Sequence, residues 1–390
     1  KRSESVYHRS ARFFPTVAPK RTVMLKKFEV KNFKQFKHLQ MDFADVRDYS
    51  FQKDCITRHK KPLIKTAVVY GPNASGKSNL GFAIFDIVQH LVDKMTQADA
   101  YSYYLNADTP ESPAEFTYTF LFNTKEVVYS YTKTDSRTII TEKLTIDNEL
   151  VFERLRDKID TSGLSKIKVG SLNLSYMDSD LSLLRYIANN SALPNTSPVR
   201  ALMDFVSKML WFRRVDKNNN YMGYHSGSAS ISEFIIKNDL LKEFQQFLNK
   251  KQVSENIVVK QDPTGKQDLY FSHVQNLPFF ATASSGTLAL AVYFYWQHFL
   301  NNVSFLYMDE FDAFYHYAIS EDILRQLKKI KCQTIVTTHN TGLLNHDLVR
   351  PDVCFMMKNG TLNSFANLTE RELRLGNNLE KLYLSGEFNG

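Results

Sequence analysis

The chain has 390 residues, 43% of them hydrophobic and 13% aromatic, enough apolar material for a large core, which excludes a disordered chain. No apolar run approaches the roughly 18–20 residues of a membrane-spanning helix, and the three cysteines (Cys55, Cys332, Cys354) share no metal-ligand or Cys-x-x-Cys spacing, so a soluble, cytoplasmic protein without zinc or disulfides is expected. A net charge of +8 permits contact with nucleic acid or another anion without demonstrating it.

Much of that charge sits early: Lys1–Lys27 carries four Lys and four Arg against one Glu. Residues 1–23 are basic and aperiodic, and are set apart as an N-terminal extension. Residues 24–45 alternate around a basic turn and predict a hairpin. Residues 63–70 (LIKTAVVY) read as a buried strand, and Ser78–Val92 has helical spacing. Period-two patterning from Glu115 to Arg154, with an Asp147-Asn148 turn, predicts an antiparallel meander. Helical patterns over Leu181–Asn189, Val199–Val215 and Ser232–Asn249 predict an inserted helical lobe spanning 176–264, between body segments 24–175 and 265–390. Val303–Met308, an amphipathic helix carrying Ile319, Ile323, Leu327 and Ile330, and Thr334–Thr338 predict a βαβ crossover in a parallel sheet. Asn359-Gly360 suits a type I′ turn in a last hairpin.

The strongest chemical signal is GPNASGKS, Gly71–Ser78, between a buried strand and a helix. Gly71 and Gly76 let the backbone turn tightly, so that the N–H groups of the loop, through Asn73, Ser75 and on to Asn79 at the helix start, can surround phosphate oxygens. Lys77 can reach the β- and γ-phosphates, and Ser78 offers a hydroxyl to Mg²⁺. Such a loop needs an acid at the end of a neighbouring strand. SFLYMDEFD supplies Asp309 for the metal, followed by Glu310, placed to polarise an attacking water. Asp312 reads as a loop or capping acid. His339, in TTHNT, falls at the carboxyl end of the strand expected beside that of Asp309, where α/β sheets place ligands, and is a candidate γ-phosphate sensor. TASSGT places Ser284, Ser285 and Gly286 at the start of an apolar helix. Alone, that turn is an ordinary helix cap.

Taken in order, GPNASGKS, SSG, MDE and TTHN resemble the ABC-type ATPase heads of the SMC and RecF kind. The fold class implied is α/β, a P-loop NTPase of ABC type with a mixed central sheet, an antiparallel β subdomain and the inserted lobe. In such heads the signature turn of one subunit closes over the γ-phosphate held at the P-loop of the other. Ser284 and Gly286 match that signature's serine and second glycine, whereas Ala283, Ser285 and Thr287 depart from its leucine, first glycine and glutamine. His316 stands where many heads have the D-loop aspartate, and no glutamine stands out as the Q-loop residue.

The short insertion, MDEFDAFYH, TTHNT and the tail LEKLYLSGEFNG are similar to the compact ATPases of prokaryotic phage-defence operons, of the RloA, AbiL and PARIS AriA kind. That resemblance implies ATP and Mg²⁺ as ligands, a homodimer or higher oligomer closed around ATP, and a separately encoded effector of nuclease or Toprim type. The residues themselves carry a slow Mg-dependent ATPase; the defence role comes from the resemblance alone. The alternative class is a RecF-like DNA-repair ATPase that binds DNA directly, a reading the basic early region favours. A transporter ATPase fits the degenerate signature and irregular insertion poorly.

Overall fold

The alternating stretches at the start of the body fold as β1 (Val23–Phe33) and β2 (Phe36–Asp42), paired antiparallel through Val30 and Leu39. The computed structural model describes residues 23–58, 61–92, 101–156, 158–170, 172–175, 177–178, 180–212, 221–223, 230–261 and 264–388. Of the expected extension over 1–23, only Val23 lies among them, and it already belongs to β1. Next comes β3 (Thr66–Tyr70), buried at every position, which runs through the 71–76 loop into α1 (Lys77–Leu91). The meander follows as β4 (Ala114–Phe122), β5 (Lys125–Lys133), β6 (Ile139–Ile146), β7 (Glu149–Leu155) and β8 (Lys158–Asp160). Hairpin and meander form one seven-stranded antiparallel sheet, ordered β2-β1-β4-β5-β6-β7-β8. Asp147 and Asn148 turn between β6 and β7 with φ of 50° and 65°, the left-handed values a type I′ turn needs.

The region expected as a helical lobe contains α2 (Leu183–Asn190), α3 (Pro198–Ser207), β9 (Met209–Phe212), β10 (Tyr221–Gly223), α4 (Ile231–Lys237), α5 (Leu241–Lys250) and β11 (Ile257–Gln261). Three expectations are corrected here. The helix predicted over Val199–Val215 stops at Ser207, and the apolar Met209–Phe212 becomes a strand, because a run this short carries no period of its own and tertiary burial decides it. Trp211, fully buried, packs edge-on against Phe82 of α1 at 4.6 Å and lies 5.6 Å from Phe85. The helix predicted over Ser232–Asn249 breaks in two at Asp239, whose φ of 53° no α-helix accepts. Nor do 176–264 stand apart as a lobe: β9 and β10 join the central sheet, and β11 pairs with β12 (Gln267–Phe271) across the expected 264/265 boundary, Val258 opposite Tyr270.

The chain continues through β13 (Leu277–Pro278), α6 (Phe279–Thr282), α7 (Ser285–Gln297), β14 (Phe305–Met308), α8 (Tyr317–Leu327), β15 (Gln333–Thr338), β16 (Cys354–Lys358), β17 (Thr361–Ser364) and α9 (Leu379–Leu384). The central sheet is ordered β10-β9-β14-β15-β3-β16-β17. Its five middle strands are parallel and the two edges antiparallel, a mixed sheet as expected. The predicted crossover is β14-α8-β15, with Leu306 opposite Thr334. This topology lines up the carboxyl ends of β14, β15 and β3, from which Asp309, His339 and Gly71 emerge. The fold is α/β, of P-loop NTPase type. No helix among the described residues is long and apolar enough to cross a membrane.

A buried polar network ties α1 to the antiparallel sheet. Asp86, fully buried, accepts from Lys133 Nζ (2.8 Å), Tyr131 OH (2.8 Å) and Tyr104 OH (2.7 Å). Three donors on one carboxylate offset much of the desolvation that burying the ion pair costs. Glu142 likewise accepts from Tyr129 OH (2.6 Å), Ser182 Oγ (2.7 Å) and the amides of Leu183 and Leu184 (2.8 and 3.0 Å) at the start of α2. The helix that begins at Lys77 is therefore held rigidly on its far side.

Candidate functional site

The loop after β3 turns through Ala74, with φ of 61°, and Gly76, with φ of 111°. At Gly76 a side chain is doubly excluded: the backbone is left-handed, and a Cβ would run into the Gln35 side chain from the β1–β2 turn. Asn73 and Ala74 are exposed at the tip, while Gly71, Ser75, Gly76 and Lys77 are buried. The Lys77 ammonium folds back to donate to the carbonyls of Gly71 (2.9 Å) and Pro72 (3.1 Å). Burial holds its pKa below the ordinary lysine value, against the pull of Glu310 and Asp309. The Ser75 hydroxyl is buried with no hydrogen-bond partner, an orphan inside the loop's curve.

Across the sheet, Asp309 follows the last residue of β14 and is buried. Its Oδ2 accepts from Ser78 Oγ at 2.5 Å and its Oδ1 from Thr337 Oγ1 at 2.7 Å. Desolvation raises its pKa above the usual aspartate value, while the Ser78 and Thr337 hydroxyls pull it back. The same Thr337 hydroxyl accepts from the Glu310 amide at 2.7 Å, so one side chain on β15 orients both consecutive acids. Glu310 is held at φ 49°, a strained value for a glutamate, and its carboxylate projects half exposed, with Oε1 4.0 Å from His339 Nε2. Burial, then the charge of Lys77, lower the His339 pKa, keeping the imidazole neutral at pH 7. Asp312 accepts from Thr338 Oγ1 at 2.6 Å, which makes it a loop anchor. Tyr307, fully buried, donates its hydroxyl to the Lys77 carbonyl and fastens β14 to the head of α1.

Gly71 through Asn79, Asp309, Glu310 and His339 thus converge on one end of the sheet. Three participants escaped the sequence reading. Thr337 and Thr338 were inside a stretch identified only as a strand, although a Thr pair ending a buried strand just before a polar loop is a usable signal. Gln35 donates to the Ser75 carbonyl (2.6 Å) and accepts from Asn79 Nδ2 (2.8 Å). It comes from a hairpin turn some forty positions away, and nothing local to it announces this role.

Ser284, Ser285 and Gly286 are placed otherwise. Ser284 caps α7, its Oγ accepting from the Thr287 amide (3.1 Å) and lying 2.9 Å from Thr287 Oγ1. These bonds are local to the turn, and Ser284 and Ser285 are exposed. Gly286 packs so closely on the segment after Glu310 that a Cβ would stand 2.8 Å from the Phe314 carbonyl.

Among solved structures, the chain is similar to an SMC head bound to the C-winged helix domain of ScpA, at 18% identity over 87% of this chain and 96% of that one, TM-score 0.42. It is similar also to the SMC head domain from Thermotoga maritima (15%, 87% and 97%, TM-score 0.39) and to the recombination mediator protein RecF-ATPrS in the RecFOR pathway (13%, 88% and 98%, TM-score 0.38). No curated protein matches the chain. Residues 67–345, well over half the chain and including the phosphate loop, Asp309, Glu310 and His339, match the family described as "AAA domain, putative AbiEii toxin, Type IV TA system", and the chain belongs to that family.

Proposed function

We propose that this protein is an ABC-type ATPase that binds ATP with Mg²⁺, hydrolyses it slowly, and works as a dimer closed around two nucleotides in an antiviral complex with a separately encoded effector. The observation that carries the ATPase is the Ser78–Asp309 contact at 2.5 Å, between the residue ending the phosphate loop and the acid ending β14. A hydroxyl and a carboxylate are hard oxygen donors, the set Mg²⁺ takes together with nucleotide phosphates, and the orphan Ser75 hydroxyl inside the loop suits a phosphate oxygen. Ser78 and Asp309 would hold the metal, which would supply positive charge against the nucleotide's phosphates. Lys77 exchanges its two carbonyl partners for phosphate. Glu310 takes the proton of the attacking water, His339 contacts the γ-phosphate as a neutral donor, and Ser284–Gly286 serve the nucleotide of the second subunit. The family's description, which names a putative toxin of a toxin–antitoxin system, supports a defence setting. The experiment is Mg·ATP binding and turnover by the full chain beside Lys77→Ala. The variant should stay folded and lose at least about a hundredfold in ATP affinity. Unchanged affinity in a folded variant would overturn the assignment.

A further inference from the structure

The imidazole of His339 is 40% exposed, with Glu310 Oε1 4.0 Å from its Nε2, so the backbone on either side sets where it stands. One residue before it, Thr338 Oγ1 donates to Asp312 and accepts from the Asn340 amide (2.9 Å). After it, Asn340 Oδ1 accepts from the Gly342 amide (3.1 Å) at the head of a single 3₁₀ turn, Thr341–Leu343. Gly342 is pressed against the start of α8: a Cβ there would stand 3.0 Å from the Tyr317 ring. The turn is held from another side by α9, part of the tail LEKLYLSGEFNG, for which the proposed chemistry has no use.

Asn378 caps α9, its Oδ1 accepting from the Lys381 amide (2.8 Å), and Leu379 is buried beneath it. Glu380 and Tyr383, three residues apart, share one side of the helix. Glu380 Oε1 accepts from Thr341 Oγ1 at 2.8 Å, while the Tyr383 ring lies 6.0 Å from Tyr70 and, nearly parallel, 6.0 Å from Phe365. Phe388 stacks on Phe365 at 4.3 Å. Tyr70 is fully buried, stands directly before Gly71, and is paired across the sheet with Thr338, directly before His339. The aromatic contacts therefore seat α9 on the sheet end from which both the phosphate loop and the His339 loop leave, and through Glu380 that seated helix grips the second loop. From this we infer that Glu380 is a positioning residue for His339: by holding Thr341 it fixes the turn after the imidazole, as Asp312 fixes the residue before it. The two anchors differ in origin. Asp312 ties His339 to the Asp309–Asp312 segment, whereas Glu380 ties it to the tail.

The consequence for turnover rests on His339 as the γ-phosphate contact; the placement of the loop does not, and is measured without nucleotide. On the full chain, Mg·ATP affinity, single-turnover hydrolysis and nucleotide-free hydrogen–deuterium exchange over residues 339–344 are compared for the wild type, Glu380→Ala, Glu380→Gln, Thr341→Val and His339→Ala. Glu380→Ala and Thr341→Val should each lower the hydrolysis rate about tenfold at unchanged ATP affinity and speed exchange across 339–344. Glu380→Gln keeps the acceptor oxygen and should restore both. In the His339→Ala background, Glu380→Ala should cost nothing more, because the group it positions is gone. A merely structural brace would lower melting temperature and ATP affinity together with the rate, whether or not His339 is present. A loss that Glu380→Gln shares, a loss that adds in full to that of His339→Ala, or exchange unchanged in Glu380→Ala overturns the assignment, even where ATP binds and turns over normally. If the wild type binds no ATP, the ATPase reading falls instead, and faster exchange in Glu380→Ala, reversed in Glu380→Gln, leaves the positioning of the loop standing.

Discussion

The Gly71–Ser78 loop and the Ser284–Gly286 turn are both backbone curves at the start of a helix, yet they are embedded in opposite ways. The first is knitted inward: Lys77 on its own loop's carbonyls, Ser78 on Asp309, Gln35 across Ser75 and Asn79, Tyr307 on the Lys77 carbonyl. The second spends one hydroxyl on its own helix cap and leaves Ser284 and Ser285 facing solvent. Preorganisation of that first kind suits a half-site that must hold a nucleotide before anything else happens. An exposed turn on a rigid base, with Phe279 buried just before it and Gly286 seated on the Phe314 carbonyl, suits a half-site completed by something arriving from outside. The segment Asp309–Phe314 meets both: Asp309 bonds Ser78, and the Phe314 carbonyl stands against Gly286.

The largest expected effect lies on the knitted side. Glu310→Gln keeps the side chain's shape and leaves the amide bond to Thr337 in place, but removes the proton acceptor. Mg·ATP should bind normally while single-turnover hydrolysis falls by about a thousandfold, and sizing in ATP should show an accumulated dimer. Near-normal turnover would move the base to Asp312 or His339 and erase the special position of Glu310 in the comparison.

The exposed side gives the next effect. Ser285→Arg adds bulk and charge to a residue that faces solvent, so ATP binding by the isolated subunit should be nearly unchanged while turnover drops about a hundredfold through blocked closure. Mixing Ser285→Arg with Lys77→Ala sharpens the point. In the mixed dimer, one composite site carries both lesions and the other none, so part of the activity should return. A mixture that stays inactive makes the turn a plain helix cap, and the two regions then have nothing to do with one another.

How legible these regions were differs for a physical reason. The phosphate loop and its acids announce themselves locally, because the chemistry demands glycines, a lysine and a hydroxyl at fixed spacing, next to strands whose burial shows as an apolar run. The β14-α8-β15 crossover and the 359–360 turn were readable on the same grounds. What failed was local pattern without local cause. Met209–Phe212 is apolar enough for helix or strand, and only the groove between β14 and α1, where Trp211 fits, makes it a strand. Gln35 reaches the loop from a distant hairpin, and a turn glutamine carries no sign of its target. Thr337 looked like any threonine in a strand, yet its hydroxyl is shared by Asp309 and Glu310.

That shared hydroxyl yields the smallest and most discriminating expectation. Thr337→Val keeps the β-branched shape that suits a buried strand but removes the donor to Asp309 Oδ1 and the acceptor for the Glu310 amide. Two consequences follow with definite signs. The Glu310 amide loses its partner, so the strained φ of 49° is less well supported and turnover should fall about tenfold. The second concerns protonation. Desolvation already raises the Asp309 pKa, and the Thr337 hydroxyl is one of two groups opposing that rise by bonding the carboxylate. Without it the ionised form is harder to reach, so the acid limb of the turnover profile should move to higher pH, and Mg²⁺ dependence measured on that limb should weaken first. Thr337→Ser, which restores the hydroxyl without the methyl group, should recover the profile. A mere packing defect would lower stability and rate together while leaving the acid limb in place. If Thr337→Val leaves that limb unmoved, the ionisation of Asp309 does not govern it, and the tightly bonded half of the molecule is built for rigidity rather than for charge.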